Sequence, residues 1–472
     1  MVLALFVDTD VSPAALWRPL AIALGVTIVL QLALGMALRH RHRAATIVAG
    51  VLLLLRSDDL PHLIAALVLV LAGTAAFLWF ARVRHLRPTT IAFTRLANAM
   101  SLILVVTVVG TGAANGSWSR AAADLALAPD AGTAESGGPN IYALLLDGYP
   151  RGDTLQRLFG YDNKAFTRGL RARAFEVADH SRSNYMFTEL TLASMFQMRY
   201  LDAATDRERD IRRLFVDNPV IDRLRAAGYG VHANATPWEG ATLRTADQLC
   251  GDGDVTNFEM HLMRSTLVFP VLLAVQPEFL ADLHRRFVRH SFACLDPAVG
   301  GPAFHWTHVP SPHLPIVFEA DGTPADTALY SDTAQELGLD DEDYAEAYVG
   351  QVAYVNRLVL EAVDRIVAAD PSAVIVVFSD HGSESRLDWS DGTRSDLDER
   401  FGNLFAARTP GHECLFGDAP TLVNVFPRLL NAYLDTRYAE QSDKLFISTP
   451  GSKLALDEIP NPDSGRADGC PG

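Results

Sequence analysis

The stretch VIVVFSDHGSES, Val374 to Ser385, is apolar from Val374 to Phe378 and then passes through Ser379 to Asp380, His381 and Gly382. A short continuous apolar run reads as a buried strand. This one brings a carboxylate and an imidazole to the edge of a sheet. A second run ends the same way: NIYALLL, Asn140 to Leu146, is followed at once by Asp147 and Gly148. Further short apolar runs lie at Tyr229 to Ala235, Ala303 to Val309 and Asn403 to Arg408. Helical patterns fill the intervals. IRRLFVDNPVIDRLRAAG closes on Gly228, a C-cap residue, and the segment Asp341 to Asp370 starts acidic and carries apolar residues at helical spacing. Strands alternating with helices predict an α/β domain built on a mostly parallel sheet flanked by helices. Such sheets bind ligands beyond the carboxyl ends of their strands, so Asp147 and Asp380 are expected on one rim.

Two carboxylates side by side repel, and one pKa rises unless a cation lies between them. A divalent metal resolves the conflict, and oxygen ligands with one imidazole suit Zn, Mn, Mg or Ca. Each piece also has a plainer reading. Asp147 alone fits a turn in DGYP, and Asp380-His381-Gly382 alone fits a helix N-cap beside a histidine. In SRSNYMFTELTLASMFQMRYL, Ser181 to Leu201, Thr188 is placed to open a helix, either as a plain N-cap or as a nucleophile at a helix N-terminus, which favours anions. In HWTHVPSPHLP, His305, His308 and His313 are read as a cluster after a strand, in a Pro-rich loop. They would bind a substrate anion or a second metal, or stand exposed on a surface loop, the plainer reading for His305.

The chain has 472 residues and a formal net charge of −16. Residues 1–114 hold nine arginines, no lysine and four aspartates, about +5, so the remainder carries −16 − 5 = −21. The acidic part has no basic stripe, which argues against nucleic acid as a partner. The basic front is apolar. Leu20 to Leu38, His62 to Ala81 and Leu96 to Ala114 each approach the ~20 residues that cross a hydrocarbon core, while Ala44 to Leu55 is shorter and marginal. Arginines at 39, 41 and 43 and at 82, 84 and 87 mark two cytoplasmic loops. A return crossing at Ala44 to Leu55 is then required. This gives about four helices over 1–114, with both the N-terminus and everything after Ala114 outside. Residues 115–138 read as a linker, 139–455 as the external catalytic domain, and 456–472, rich in Pro, Gly and Asp, as a disordered tail. Cys250, Cys294, Cys414 and Cys470 all fall outside, where disulfides persist. Three pairings are open, as are free buried thiols.

The motifs PNIYALLLDGYPR, SNYMFTELTLASM, HVPSPHLPIVFEADG, VVFSDHGS and ERFGNLFAARTPG, in this order, resemble the alkaline phosphatase superfamily. The likeness covers roughly Pro139 to Tyr438 and is greatest to the membrane-anchored sulfatase-like branch, with its lipoteichoic acid synthases and phosphoethanolamine transferases. The resemblance implies an alkaline-phosphatase-like fold. It implies metal ligation by Asp147, Thr188, Asp380 and His381, with Thr188 as the nucleophile that forms a covalent phospho-enzyme. His313, and less directly His308, would lie on the substrate side, and the metal would be Zn or Mn. The implied substrate is an anionic ester of a membrane lipid or the cell envelope, and the implied location is a multi-pass membrane protein with its catalytic domain extracytoplasmic. One departure is informative: no Cys or Ser followed by x-Pro-x-Arg occurs, and threonine cannot become formylglycine. Competing readings are a sulfuric ester or phosphonate hydrolase on the same site, an inactive envelope sensor or scaffold, and a transporter. The absence of acidic residues and lysine from the span interiors counts against the transporter.

Overall fold

The computed structural model describes residues 16–38 and 138–466, apart from 237–238, 252–254, 256, 265, 267, 296–301, 330–340, 450 and 465, together with residues 48, 106 and 470. The chain divides into two compact units, one of Met1–Ala128 with Val255–Phe279, the other of Pro129–Asp254 with Leu280–Gly472.

In the first unit, α1 (Trp17–Leu38) is, among the described residues, the helix long and apolar enough to cross a membrane. The spans expected at Ala44 to Leu55, His62 to Ala81 and Leu96 to Ala114 lie outside the described residues.

The second unit is built on a seven-stranded sheet in the order β2-β9-β8-β1-β5-β3-β4. The strands are β1 (Ile141–Leu146), β2 (Glu176–Val177), β3 (Gly230–Asn234), β4 (Gln248–Cys250), β5 (Ala303–Val309), β8 (Val374–Phe378) and β9 (Phe405–Arg408). The run β8-β1-β5-β3-β4 is parallel, and β9 joins β8 antiparallel. Two antiparallel pairs flank the sheet, β6 (Ile316–Phe318) with β7 (Pro324–Leu329) and β10 (Leu445–Thr449) with β11 (Ser452–Ile459). The helices used below are α2 (Gly152–Phe159), α3 (Lys164–Arg171), α4 (Thr188–Gln197), α5 (Ile211–Val216), α6 (Pro219–Ala226), α7 (Asn257–Arg264), α8 (Val268–Val275), α9 (Phe279–Ala293), α10 (Asp341–Ala369), α11 (Leu397–Phe401) and α12 (Val425–Tyr433).

The central strands β1 and β8 are short runs of buried, almost wholly apolar residues because both faces of the sheet are covered. Along β1, Tyr142, Leu144 and Leu146 enter one core with Val352, Val355, Val359 and Val363 of α10. Ile141, Ala143 and Leu145 enter the opposite core with Leu192 and Phe196 of α4, Leu224 of α6 and Phe426 of α12. A parallel sheet puts the carboxyl ends of β1, β5 and β8 on one rim, and register fixes their alignment: Leu145 pairs with His308 on one side and Phe378 on the other.

Two sequence expectations change. His305 and His308 belong to β5 itself rather than to the loop after it; His305 is buried and stacks on Tyr142 with ring centroids 4.3 Å apart. The Pro-rich segment misled because its prolines begin only at Pro310, past the strand. The expected disordered tail is ordered where described: β11 runs to Ile459, and Asp463 is buried against Arg182 at 2.6 Å. The cysteine question left open by the sequence resolves to two disulfides, Cys250 with Cys294 and Cys414 with Cys470, at Cα separations of 5.9 and 5.2 Å.

Candidate active site

β1 ends at Leu146 and β8 at Phe378, so Asp147 and Asp380 leave neighbouring strands at the same rim. Two turns hold them there. Gly148 has φ +67°, a left-handed conformation that glycine adopts without penalty. Its amide donates to Asp380 Oδ1 at 3.3 Å, and the Tyr149 amide donates to Ser379 Oγ at 2.8 Å. Ser379 Oγ in turn donates to the His381 carbonyl at 2.6 Å. Gly382 is required for a different reason. A Cβ there would lie 1.8 Å from the Glu399 carbonyl oxygen, because the backbone of α11 packs directly on the turn. The Gly382 amide donates to the Arg400 carbonyl at 2.8 Å across that contact.

Thr188 is the first residue of α4. The N-cap is Phe187, in extended conformation, so the Thr188 hydroxyl is not used as a cap. It points instead at the rim, 3.2 Å from His381 Nε2. The partial positive charge of the α4 N-terminus therefore lies beside this hydroxyl. Thr191, one turn on, donates to the Asp380 carbonyl at 3.2 Å and ties the helix to the β8 turn.

The donor atoms converge. His381 Nε2 is 3.2 Å from Asp380 Oδ2 and 3.8 Å from Asp147 Oδ1, and the ligand atoms of the three residues all lie within 4.8 Å of one another. All three side chains are buried. His381 Nδ1–H donates to the Gly382 carbonyl at 2.8 Å, which fixes the tautomer and leaves the Nε2 lone pair facing the carboxylates. Burial lowers the His381 pKa to about 3, with Arg400 acting in the same direction, so the ring is neutral at ordinary pH. Asp147 Oδ1 and Asp380 Oδ2 have no hydrogen-bond partner. Burial and the neighbouring Asp147 carboxylate push Asp380 up. Asp147 is held well below the usual range because His313, His308 and His381 outweigh its burial. Among the described residues, Thr188 O–H is the one donor at hand, 3.2 Å from His381 Nε2, and it cannot serve the Nε2 lone pair and both buried carboxylates, which are costly to leave unmet. A divalent cation among Asp147, Asp380, His381 and Thr188 satisfies all of them, and this oxygen-rich set with one imidazole fits such an ion.

The two histidines expected on the substrate side, His308 and His313, differ in place. His308 is fully buried in β5 and its Nε2–H donates to Asp147 Oδ2 at 2.9 Å. Asn234 of β3 grips the His308 backbone at both its amide and its carbonyl, at 2.9 and 2.8 Å. His313 is half-buried on the loop after β5. Its amide donates to the Asp147 carbonyl at 2.9 Å, its Nδ1–H donates to the Leu314 carbonyl at 2.9 Å, and its Nε2 lies 3.5 Å from Glu384. Burial alone would lower its pKa, but the carboxylates of Glu384 and Asp147 prevail and push it up to about 10. His313 is therefore a cation at the mouth of the rim.

Glu384 and Arg400 were not singled out from sequence. Both are buried, at 3.9 Å from each other, and Glu384 stands between the Arg400 guanidinium and the His313 ring. Arg400 Nε donates to the Met186 carbonyl at 2.8 Å and so fixes the chain entering α4. Glu399 accepts from Ser383 Oγ and Ser385 N at 2.7 Å and from Arg386 N at 2.9 Å, which holds the turn that presents Glu384. The only sequence signal was the position of Glu384 within the Asp-His-Gly-Ser-Glu string and of Glu399-Arg400 within ERFGN.

The sulfatase family model matches residues 139–405, more than half of the chain. Among solved structures, the chain is similar to the integral membrane lipooligosaccharide phosphoethanolamine transferase A of Neisseria meningitidis, at 17% identity over 78% of this chain and 69% of that one, with a TM-score of 0.40. It is similar to the C-terminal periplasmic domain of EptC from Escherichia coli, at 15% identity over 68% and 93%, TM-score 0.43. It is also similar to the lipoteichoic acid synthase LtaP of Listeria monocytogenes, at 15% identity over 66% and 76%, TM-score 0.40. No curated protein matches the chain.

Proposed function

The chain belongs to the sulfatase family of the alkaline phosphatase superfamily, and from that premise we propose that it is a membrane-anchored, metal-dependent phosphoester hydrolase or transferase. Its substrate is an anionic ester of a membrane lipid or the cell envelope, and Thr188 is its nucleophile. The observation that carries this reading is the convergence of the Thr188 hydroxyl, the His381 Nε2 lone pair and two unpartnered carboxylate oxygens at one strand rim. Threonine in the nucleophile position favours phosphoryl over formylglycine-dependent sulfuryl chemistry.

A divalent cation, Zn or Mn by the family resemblance and Mg or Ca equally suited to the donor set, would supply charge that lowers the Thr188 pKa and offsets the ester oxygens. The protein's own residues do the rest. Thr188 Oγ gives up its proton to solvent and forms a bond to phosphorus, while the bond between phosphorus and the leaving ester oxygen breaks. His313, held as an imidazolium by Glu384 and Asp147, donates the proton that the leaving oxygen needs. Water or an acceptor hydroxyl then attacks phosphorus and passes its proton to the now neutral His313, while the Thr188 Oγ–P bond breaks and Thr188 Oγ takes a proton back from solvent. His308 orients Asp147 from behind by its 2.9 Å hydrogen bond, as outer partners orient ligating carboxylates.

The anchoring rests on α1 with the further apolar stretches of residues 1–114, and the external location gains support from the two disulfides. The test is Thr188→Ala in the full chain with a chromogenic phosphodiester. Turnover should fall by about 10³-fold or more with the melting temperature near that of the wild type. Equal activity in the variant would remove Thr188 from the mechanism.

A further inference from the structure

Between β4 and α9 the chain leaves the sheet, and the segment Val255–Phe279 groups with the N-terminal unit that contains α1. The base of this excursion is closed by the Cys250–Cys294 disulfide, which spans 44 residues. The excursion consists of two short helices. The second, α8, reads VFPVLLAV and carries no charge. In soluble surroundings such a helix would be buried, yet Val271 is 63% and Val275 74% exposed, with Pro270 and Ala274 exposed beside them. The first, α7, is polar by comparison. Its Glu259 pairs with Arg18 at the start of α1 at 3.2 Å, and Arg264 at its end lies over the Phe269 ring at 5.9 Å. Arginine and aromatic rings at the edge of a bare apolar surface are the composition of an interfacial element. The apolar residues of α1 are exposed in the same way, Trp17 and Val29 among them.

We infer that α7 and α8 form an interfacial element whose apolar valine face docks into the lipid bilayer beside the outer end of α1, with the Cys250–Cys294 disulfide holding its two ends together. The inference rests on the reading that α1 crosses a bilayer. Lipid is the occupant favoured over a second copy of the chain because the bare surface belongs to the same unit as α1, to which α7 is tied by the Arg18–Glu259 pair. The element gives the catalytic domain a second hold on the membrane, as expected for an enzyme whose substrate resides there.

All four native cysteines are paired, so an introduced cysteine can be labelled alone. Val275→Cys and, separately, Val271→Cys take a nitroxide in the full chain, reconstituted in phosphatidylcholine vesicles containing phosphatidylglycerol. Collisions with oxygen and with a water-soluble nickel chelate are then compared. Val29→Cys in α1 and Lys164→Cys in α3 serve as the lipid and water references. The expected result is oxygen access at 271 and 275 near that of position 29, with nickel access at least about tenfold below that of position 164. Nickel access equal to position 164, with position 29 in lipid, overturns the docking and leaves the anchor intact. Water access at position 29 as well overturns the anchor together with the docking. Dipolar broadening between labels identifies a second copy as the occupant, and low access to both probes identifies another part of this chain; either result overturns the inference. Independently, Val271→Asp with Val275→Asp should raise KM for a vesicle-borne phosphodiester about tenfold, a loss of roughly 1.4 kcal/mol. Turnover of a water-soluble chromogenic ester should not change; an equal effect on both substrates overturns the inference.

Discussion

Replacing Gly382 by alanine tests whether the Asp-His-Gly turn is held by the packing described above. The added Cβ would lie 1.8 Å from the Glu399 carbonyl and 2.7 Å from the Gly402 carbonyl, both of them backbone atoms. To reach even 3.0 Å the turn and α11 must part by 3.0 − 1.8 = 1.2 Å. That movement stretches the 2.8 Å bond from the Gly382 amide to the Arg400 carbonyl and loosens the Glu399 grip on Ser383 and Ser385. Overpacking of this kind costs about 1–3 kcal/mol, or a melting temperature lower by roughly 2–12 °C for a domain of this size. Because His381 and Glu384 ride on the same turn, a displacement near 1 Å should also lower kcat/KM by about 10²-fold. The assay is thermal unfolding of the full chain beside turnover of a chromogenic phosphodiester. Gly152→Ala is the control, since a Cβ at that first position of α2 meets nothing within 4 Å. If Gly382→Ala melts and turns over as the wild type does, the steric account of the turn is refuted.

Acidity should act through histidines in the metal-free protein. Burial lowers His284 to about 4 and His381 to about 3 from an ordinary value of 6.5, so below 6.5 the unfolded chain binds more protons and stability falls as pH drops. The raised Asp380 offsets one of the two over part of that window, so the acid limb is shallower there. His313, pushed up to about 10, has the opposite sign: its contribution is complete below 6.5 and is lost as pH rises toward 10. Denaturant titrations should therefore find maximal stability near pH 6.5, and His313→Asn should flatten the alkaline limb; an unchanged limb contradicts the assignment. Asp463→Ala strips a buried carboxylate from Arg182 at 2.6 Å and Arg151 at 3.6 Å. Because Arg182 keeps Asp398 and Arg151 keeps Asp153, it should cost about 1.5–3 kcal/mol, and a loss under about 1 kcal/mol, the range of an exposed pair, would show that the tail does not brace the domain.

Asp147, Asp380 and His381 were legible because the strands leading to them are apolar and end abruptly on them, a pattern that survives without knowledge of long-range contacts. The parallel order of β1, β5 and β8 followed from the alternation of strands and helices. Thr188 was found near a helix start, but its place one residue inside α4 depends on Phe187 taking the extended cap conformation. Glu384 and Arg400 could not be read because their positions depend on α11 packing against Gly382. The run Ala303 to Val309 was legible as a strand, but the prolines from Pro310 on drew His305 and His308 into one loop cluster with His313, although strand pairing extends to Val309. The tail looked disordered by composition, and what orders it is an ion pair between residues 281 apart in sequence.

The claim on which the rest depends is that Asp147, Asp380, His381 and Thr188 share a cation. The direct measurement is elemental analysis of the purified full chain beside Asp380→Asn, both dialysed against Zn and then against metal-free buffer. The expected result is about one equivalent of metal per wild-type chain, and a substantial loss in the variant at unchanged secondary structure. Full occupancy in Asp380→Asn, or no retained metal in the wild type, would contradict the account.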